Sequence, residues 1–143
     1  MINDRFVRWQ TILRVQVSFI NNVLITISIA ITGFIISLIG DPEFNLICCQ
    51  KIFFTFGLLL VFASIWFGLI AAISRLKDFK TTLKKIKSEK EGIALSELEE
   101  MKELMARYGK ITWFLLYSQI ITLCFGTINL TIAICWIYHE KLF

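Results

Sequence analysis

The segment FFTFGLLLVFASIWFGLIAAIS, residues 53–74, holds 22 consecutive residues without a charge. About 20 apolar residues are enough to cross the roughly 30 Å hydrocarbon core of a bilayer. The segment continues without proline or glycine into RLKDFKTTLKKI, residues 75–86, where charged residues surround a thin apolar stripe. The pattern therefore predicts one helix that begins in lipid and continues into water.

The composition indicates an integral membrane protein. The chain has 143 residues, of which 57% are hydrophobic, and its mean hydropathy is +0.71, whereas a soluble domain has about 45–50% apolar residues. We predict a single all-α domain, residues 1–143, with transmembrane spans at 19–39, 53–74 and 111–138. The first apolar run lacks a small-residue cleavage site, so we expect it to be an uncleaved span.

The distribution of charge predicts the topology. The connection between the first two spans, GDPEFNLICCQ (residues 40–50), contains no lysine or arginine, whereas residues 5–14 and 75–110 are rich in them. Cytoplasmic loops carry the excess of basic residues. We therefore expect the N-terminus and residues 75–110 in the cytoplasm and the C-terminus outside.

Two further helical features are expected next to the membrane. Residues 1–18 alternate cationic and apolar residues with helical spacing, which predicts an amphipathic helix that runs into the first span. Residues 75–110 predict a cytosolic helical hairpin with a break at 88–92, a capping box from Ser96 to Glu99 and an end or bend at Gly109. We expect two apolar stripes to pack together in it: Leu76, Phe79, Leu83 and Ile86, and Leu98, Met101, Met105 and Tyr108.

Polar and small residues form stripes along the spans. In the first span the stripe consists of Ser18, Asn22, Thr26, Ala30, Gly33 and Ser37, with a second, weaker line at Asn21, Ser28 and Thr32; in the third span it consists of Ser118, Thr122, Gly126, Asn129 and Ala133. Such stripes in lipid face other helices or water. They either hold helices together or line a pore, and a pore with three spans per chain requires a homo-oligomer. In the second span, Ser64, Gly68 and Ala72 recur every four residues and predict a pivot of close helix packing.

A basic cluster follows the second span, with Arg75, Lys77, Lys80, Lys84 and Lys85 as its members. It either reflects topology and contact with anionic lipid headgroups, or it binds a polyanion such as a nucleotide or oligonucleotide, with a salt-dependent affinity.

Enzyme chemistry is not expected from this chain. His139 is the only histidine, and no catalytic motif, metal-binding spacing or cofactor motif occurs. The three predicted spans contain no ionisable Asp, Glu, Lys, Arg or His, which disfavours proton-coupled transport.

Two segments carry a resemblance to a known group of proteins. SRLKDFKTTLKKI (residues 74–86), followed by GKITWFLLYSQIITLCFG (residues 109–126), resembles small SLATT-type membrane effectors of prokaryotic antiphage systems, and the channel subunit of the Hailong system in particular. The matching positions are Arg75, Asp78, Phe79 and Thr82. The resemblance implies a tetrameric channel in the bacterial inner membrane, controlled by an oligonucleotide that a nucleotidyltransferase partner makes. This chain departs from the pattern at Lys77 and Lys80, where such proteins usually carry arginine.

The sequence thus favours a homo-oligomeric pore, gated from the cytosol, that depolarises the cell in abortive infection. Two other functions fit the same features: a non-conducting scaffold or accessory subunit that recruits a cytosolic partner, and a holin-like lysis protein.

Overall fold

The structure is a computed structural model, and it describes residues 2–40, 48–91 and 95–138. These residues form three α-helices: α1 (Ile2–Ile39), α2 (Cys48–Glu91) and α3 (Leu95–Ile137). Each helix contains a segment long and apolar enough to cross a bilayer, Thr11–Ile39, Cys49–Lys85 and Glu99–Ile137. The prediction of an all-α chain with three helices that could span a membrane is confirmed. The predicted loop at 41–47 and tail at 139–143 lie outside the described residues.

The helices are longer than the predicted spans. α1 includes residues 2–18 and the first span without interruption, and α2 joins the second span to residues 75–86. α2 ends at Glu91, within the predicted break, and α3 begins at Leu95, one residue before the predicted cap at Ser96. The expected end or bend at Gly109 is not a helix end, because α3 continues through it. A helical glycine costs about 1 kcal/mol relative to alanine, which is too little to end a helix that packs against a neighbour on both sides of that position.

α2 and α3 form a long antiparallel hairpin. Residues from the start of α2 lie beside the end of α3, since Gly57 meets Leu130, whereas Ser74 meets Tyr108. The buried residues recur in steps of three and four, the spacing that keeps one stripe of a helix against its partner. On α2 they are Gln50, Phe54, Gly57, Val61, Ser64, Gly68, Ala71 and Ser74; on α3 they include Thr112, Leu115, Gln119, Leu123, Gly126, Leu130 and Ala133.

The two backbones of the hairpin are in close contact at Gly57 and Gly126. A Cβ atom placed on Gly57 would lie 2.9 Å from Leu130 Cγ and 3.1 Å from the Gly126 carbonyl oxygen. A Cβ atom on Gly126 would lie 3.1 Å from the Gly57 carbonyl oxygen. Because backbone atoms cannot move aside as a flexible side chain does, this crossing requires glycine on both helices.

α1 packs mainly on α2. Its buried residues Asn21, Ser28 and Ile35 are seven apart and lie on one face. Ile35 joins an apolar core with Val61 of α2 and Leu130 of α3. This core anchors one end of α1 on the hairpin.

In the C-terminal part of α2, after Ser74, the apolar stripe faces away from α3. Leu76, Phe79 and Leu83 are 60%, 56% and 52% exposed, although the sequence suggested that they pack against the stripe that contains Met101. α2 is one continuous helix, so the face that is buried up to Ser74 determines which residues point inward further along. Thr82 lies on that face and is partly buried, whereas Leu76 and Leu83 lie about 80–100° from the centre of that face around the helix. Phe79 lies about 40° from it, at its border.

We expect Gly57→Ala or Gly126→Ala to destabilise the protein by about 1–3 kcal/mol, because the added methyl group meets backbone atoms. The measurement is thermal unfolding of the detergent-solubilised protein by circular dichroism. Gly109→Ala is the matched control, since a Cβ atom at Gly109 meets nothing within 4 Å. Equal losses of stability in all three variants would contradict the close contact.

Candidate functional site

Polar side chains connect all three helices inside the apolar segments. The hydroxyl oxygens of Ser28 and Ser64 lie 3.3 Å apart, and Ser64 Oγ donates to the Gln119 carbonyl oxygen at 3.2 Å. Asn21 Nδ2 donates to the Gly68 carbonyl oxygen at 3.3 Å. We call these five residues the buried polar cluster. Its hydrogen bonds join α1 to α2 and α2 to α3 where lipid offers no alternative partners.

Gln119 is the least satisfied member of the cluster. Its side chain is fully buried, and neither Oε1 nor Nε2 has a hydrogen-bond partner among the described residues. The amide lies against the α2 backbone, because a Cβ atom on Gly68 would be 2.5 Å from Gln119 Nε2. A buried polar group without a partner costs about 1–3 kcal/mol. Gln119 thus buries an amide without a partner among the described residues, at the point where Gly68 makes room for it.

The structure brings the predicted pivot residues to different places. Ser64 and Gly68 belong to the buried polar cluster, whereas Ala72 is half-buried and lines a groove of about 310 Å³ between α1 and α2. Ile25 of α1 also packs on Gly68, since its Cγ1 atom would be 2.7 Å from a Cβ atom there. Both neighbouring helices thus meet α2 at Gly68.

The predicted stripe of the first span lies on the outer face of α1. Asn22, Thr26 and Ser37 are exposed, and they are about 120–180° from Ser28 around the helix. The weaker polar line, which contains Asn21 and Ser28, is the one that packs against α2. Periodicity alone placed both lines on α1 and did not distinguish the packed line from the exposed one.

The predicted stripe of the third span is divided by the α2–α3 interface, since Gly126 and Ala133 are buried in it and the other three members lie along its edge. Ser118, Thr122 and Asn129 are half-buried. Thr122 Oγ1 donates to the Ser118 carbonyl oxygen at 2.8 Å, and Asn129 Nδ2 donates to the Phe125 carbonyl oxygen at 2.8 Å.

The polar members of the two predicted stripes point in different directions. Ser118, Thr122 and Asn129 are about 140–180° around α3 from Trp113. Trp113 lines a groove together with residues of α1, so at that level it marks the side of α3 that faces α1. Further along α3, Ala133 of the same stripe joins the apolar core that contains Ile35 of α1.

The predicted basic cluster divides into two groups. Lys77, Lys80 and Lys84 are exposed and lie within about 60° of one another, so they form one basic face of α2. Arg75 and Lys85 are partly buried, and Arg75 lines the grooves between α1 and the hairpin.

The long uncharged stretches of the three helices are all bordered by a charged residue at the same end of the bundle. Arg14, Arg75 and Lys110 are the charged residues that border the uncharged stretches of α1, α2 and α3. Arg14 and Arg75 line one groove together with Gly109, the neighbour of Lys110. Arg14 Nη2 lies 4.0 Å from Asp78 Oδ2. The charged residues that border the three uncharged stretches therefore lie close to one another in the bundle, and the sequence did not reveal the pairing of Arg14 with Asp78.

A second polar contact ties α2 to α3 close to this boundary. Thr112 Oγ1 donates to the Ser74 hydroxyl at 3.2 Å, and Ser74 Oγ donates to the Tyr108 carbonyl oxygen at 3.4 Å. These hydrogen bonds therefore fix α2 against α3 at Ser74, directly before Arg75.

The described residues contain no group of three or more histidine, cysteine, aspartate or glutamate side chains that could hold a metal ion. Cys49, Cys124 and Cys135 are exposed and form no disulfide within this part of the chain.

Comparison with protein-family models, curated proteins and solved structures found no match for this chain. The function is therefore inferred from the residues themselves.

We expect Gln119→Leu to leave the thermal stability unchanged or to raise it, because leucine has a similar size and no polar atoms to bury. Ser64→Ala, in contrast, should lower the stability by roughly 0.6 kcal/mol or more, since it removes a hydrogen bond between helices. Both are measured by thermal unfolding in detergent. A Gln119→Leu variant as unstable as Ser64→Ala would mean that the amide is satisfied in the protein.

Proposed function

We propose that the protein is a homo-oligomeric, pore-forming membrane protein gated from its cytosolic side. The observation that carries this proposal is the outward position of Asn22, Thr26 and Ser37 on an apolar helix. Polar side chains in lipid are favoured against other helices or water and disfavoured against acyl chains. Because these three residues are exposed on a single chain, further copies must supply the other helices or enclose the water.

An apolar stripe adjoins the polar one and supports the same assembly. Leu76 and Phe79 of α2 line the 310 Å³ groove together with Asn22 of α1. Leu76, Phe79 and Leu83 are each more than half exposed in the outer half of α2. Exposed apolar stripes that face water mark interaction surfaces. One side of the chain thus offers an apolar contact beside polar positions that face a neighbour or the pore axis.

The basic face of α2 is the proposed point of control. Lys77, Lys80 and Lys84 are exposed on the continuous helix that also contains Ser64 and Gly68. A polyanion bound to this face would shift α2 as a rigid unit, and the shift would reach the buried polar cluster. Following the resemblance, the ligand is a nucleotide or oligonucleotide and the assembly a tetramer in the bacterial inner membrane. Opening would depolarise the cell during phage infection, with weak ion selectivity because the wall carries no fixed charge.

The double variant Asn22→Leu/Thr26→Val tests the pore. We expect it to remove ion flux through proteoliposomes and the depolarisation of expressing cells, measured with a voltage-sensitive dye. Thr131→Val is the matched control, because Thr131 is also exposed within an apolar segment. Its hydroxyl donates to the carbonyl of Thr127 at 2.8 Å, as that of Thr26 does to Asn22 at 2.9 Å.

Two outcomes would contradict the pore. The first is wild-type protein that leaves both ion flux and membrane potential unchanged, alone or with a candidate ligand, which would favour the non-conducting scaffold. The second is release of whole proteins as well as ions, which would favour a holin-like lesion.

The triple variant Lys77→Gln/Lys80→Gln/Lys84→Gln tests the basic face. We expect it to weaken the binding of a short single-stranded oligonucleotide. The slope of log K against the logarithm of the salt concentration should become shallower by about 2, since each lost phosphate contact removes about 0.7 from this slope. Lys102→Gln/Arg107→Gln/Lys110→Gln removes the same charge from exposed positions of α3 and is the control. Equal effects of the two triple variants would mean that net charge, and not this face, determines binding.

A further inference from the structure

We propose that the groove between α1 and the α2–α3 hairpin binds one anionic phospholipid, with the phosphate at Arg75 and an acyl chain along the apolar wall. The site shares Phe79 with the apolar stripe described above, but its lining contains none of Asn22, Thr26 and Ser37 and none of the lysines of the basic face, and it does not depend on the pore function. It would make the position of α1 sensitive to the lipid composition of the membrane.

The groove has the size and lining of a ligand site. Its volume is about 520 Å³, within the roughly 300–1,000 Å³ of small-molecule sites. Its apolar wall includes Val17, Phe79, Met105 and Trp113, one or more from each helix. The site therefore exists only where all three helices come together.

The charged residues of the groove favour an anion. Arg14 and Arg75 line it together with a single carboxylate, Asp78. The Arg14–Asp78 contact is 4.0 Å long, and the Arg14 side chain is 51% exposed. An exposed ion pair of this kind contributes about 0–1 kcal/mol. Arg14 thus remains able to turn toward a phosphate that Arg75 holds.

The level of the groove identifies the anion as a lipid headgroup. Arg14 and Arg75 border the uncharged stretches of their helices, and basic residues next to a membrane span lie near the lipid headgroups. Trp113 is 41% exposed and Leu13 is 51% exposed at the groove, so the apolar wall is open to the surroundings. Tryptophan is enriched at the headgroup level of membranes. A soluble polyanion would match the two cations but would leave this apolar wall uncovered.

Gly109 accounts for the width of the groove. It lines the cavity, and a Cβ atom placed there would meet nothing within 4 Å. A side chain at this position would extend into the groove from a Cβ atom that meets no protein atom within 4 Å. We therefore expect Gly109→Leu to block the proposed site.

The test is native mass spectrometry of the detergent-solubilised protein with phosphatidylglycerol and phosphatidylcholine of identical acyl chains. We expect phosphatidylglycerol to be retained preferentially, and Arg75→Gln to weaken its retention about fivefold. Asp78→Asn should strengthen retention, because it removes the only carboxylate among the described residues that line the groove. Gly109→Leu should reduce the retention of both lipids while its thermal unfolding matches that of Gly109→Ala.

Lys110→Gln is the matched control for Arg75→Gln. Lys110 carries the same charge at the same level but is exposed on α3 and does not line the groove. Equal losses for Arg75→Gln and Lys110→Gln would overturn the proposal, as would equal retention of the two lipids by the wild-type protein. An Arg75→Gln variant that loses oligonucleotide binding and keeps phosphatidylglycerol would also overturn it, and would assign the groove to a soluble polyanion.

Discussion

The contact of the α2 and α3 backbones at Gly57 and Gly126 is the constraint on which the rest of the bundle depends. Lipid tails are as apolar as the side chains of these helices, so hydrophobic burial does not bring the helices together in a membrane. Close packing of small residues and hydrogen bonds between helices must do so. The two glycines allow backbone contact, and Ser64 and Ser74 add hydrogen bonds to α3 at intervals along the same face.

This contact determines how α2 is rotated along its whole length. Since the helix continues from Cys48 to Glu91, burial of Ser64 and Gly68 against α3 leaves Leu76 and Leu83 on the outside. The same rotation presents the Gly68 carbonyl and the Ser64 hydroxyl to α1. α1 meets them with Asn21 and Ser28, so its longer polar stripe points outward.

The way α1 packs on the hairpin forms the groove and leaves exposed the polar stripe on which the functional proposals are based. α1 joins the apolar core at Ile35, whereas at the level of Arg14 it borders a groove of about 520 Å³. The polar stripe that contains Asn22 and the apolar stripe that contains Leu76 share one side of the chain. The proposed assembly surface and the proposed lipid groove adjoin one another at Phe79, and the proposed basic face follows the same helix, α2.

The sequence by itself determined the class of structure: three apolar helices, the continuation of the second span into residues 75–86, and the helical register of each polar and basic residue. These follow from local properties, because hydropathy and a period of 3.6 residues depend only on neighbours in the chain. The tertiary structure alone decided which face of each helix is buried. On α1 the shorter line of Asn21 and Ser28 packs, because it faces the Ser64 hydroxyl and the Gly68 carbonyl, which no pattern within α1 encodes. Likewise, the apolar stripe of Leu76 is exposed because backbone contact some twenty residues earlier, at Gly57, determines the rotation of the whole helix.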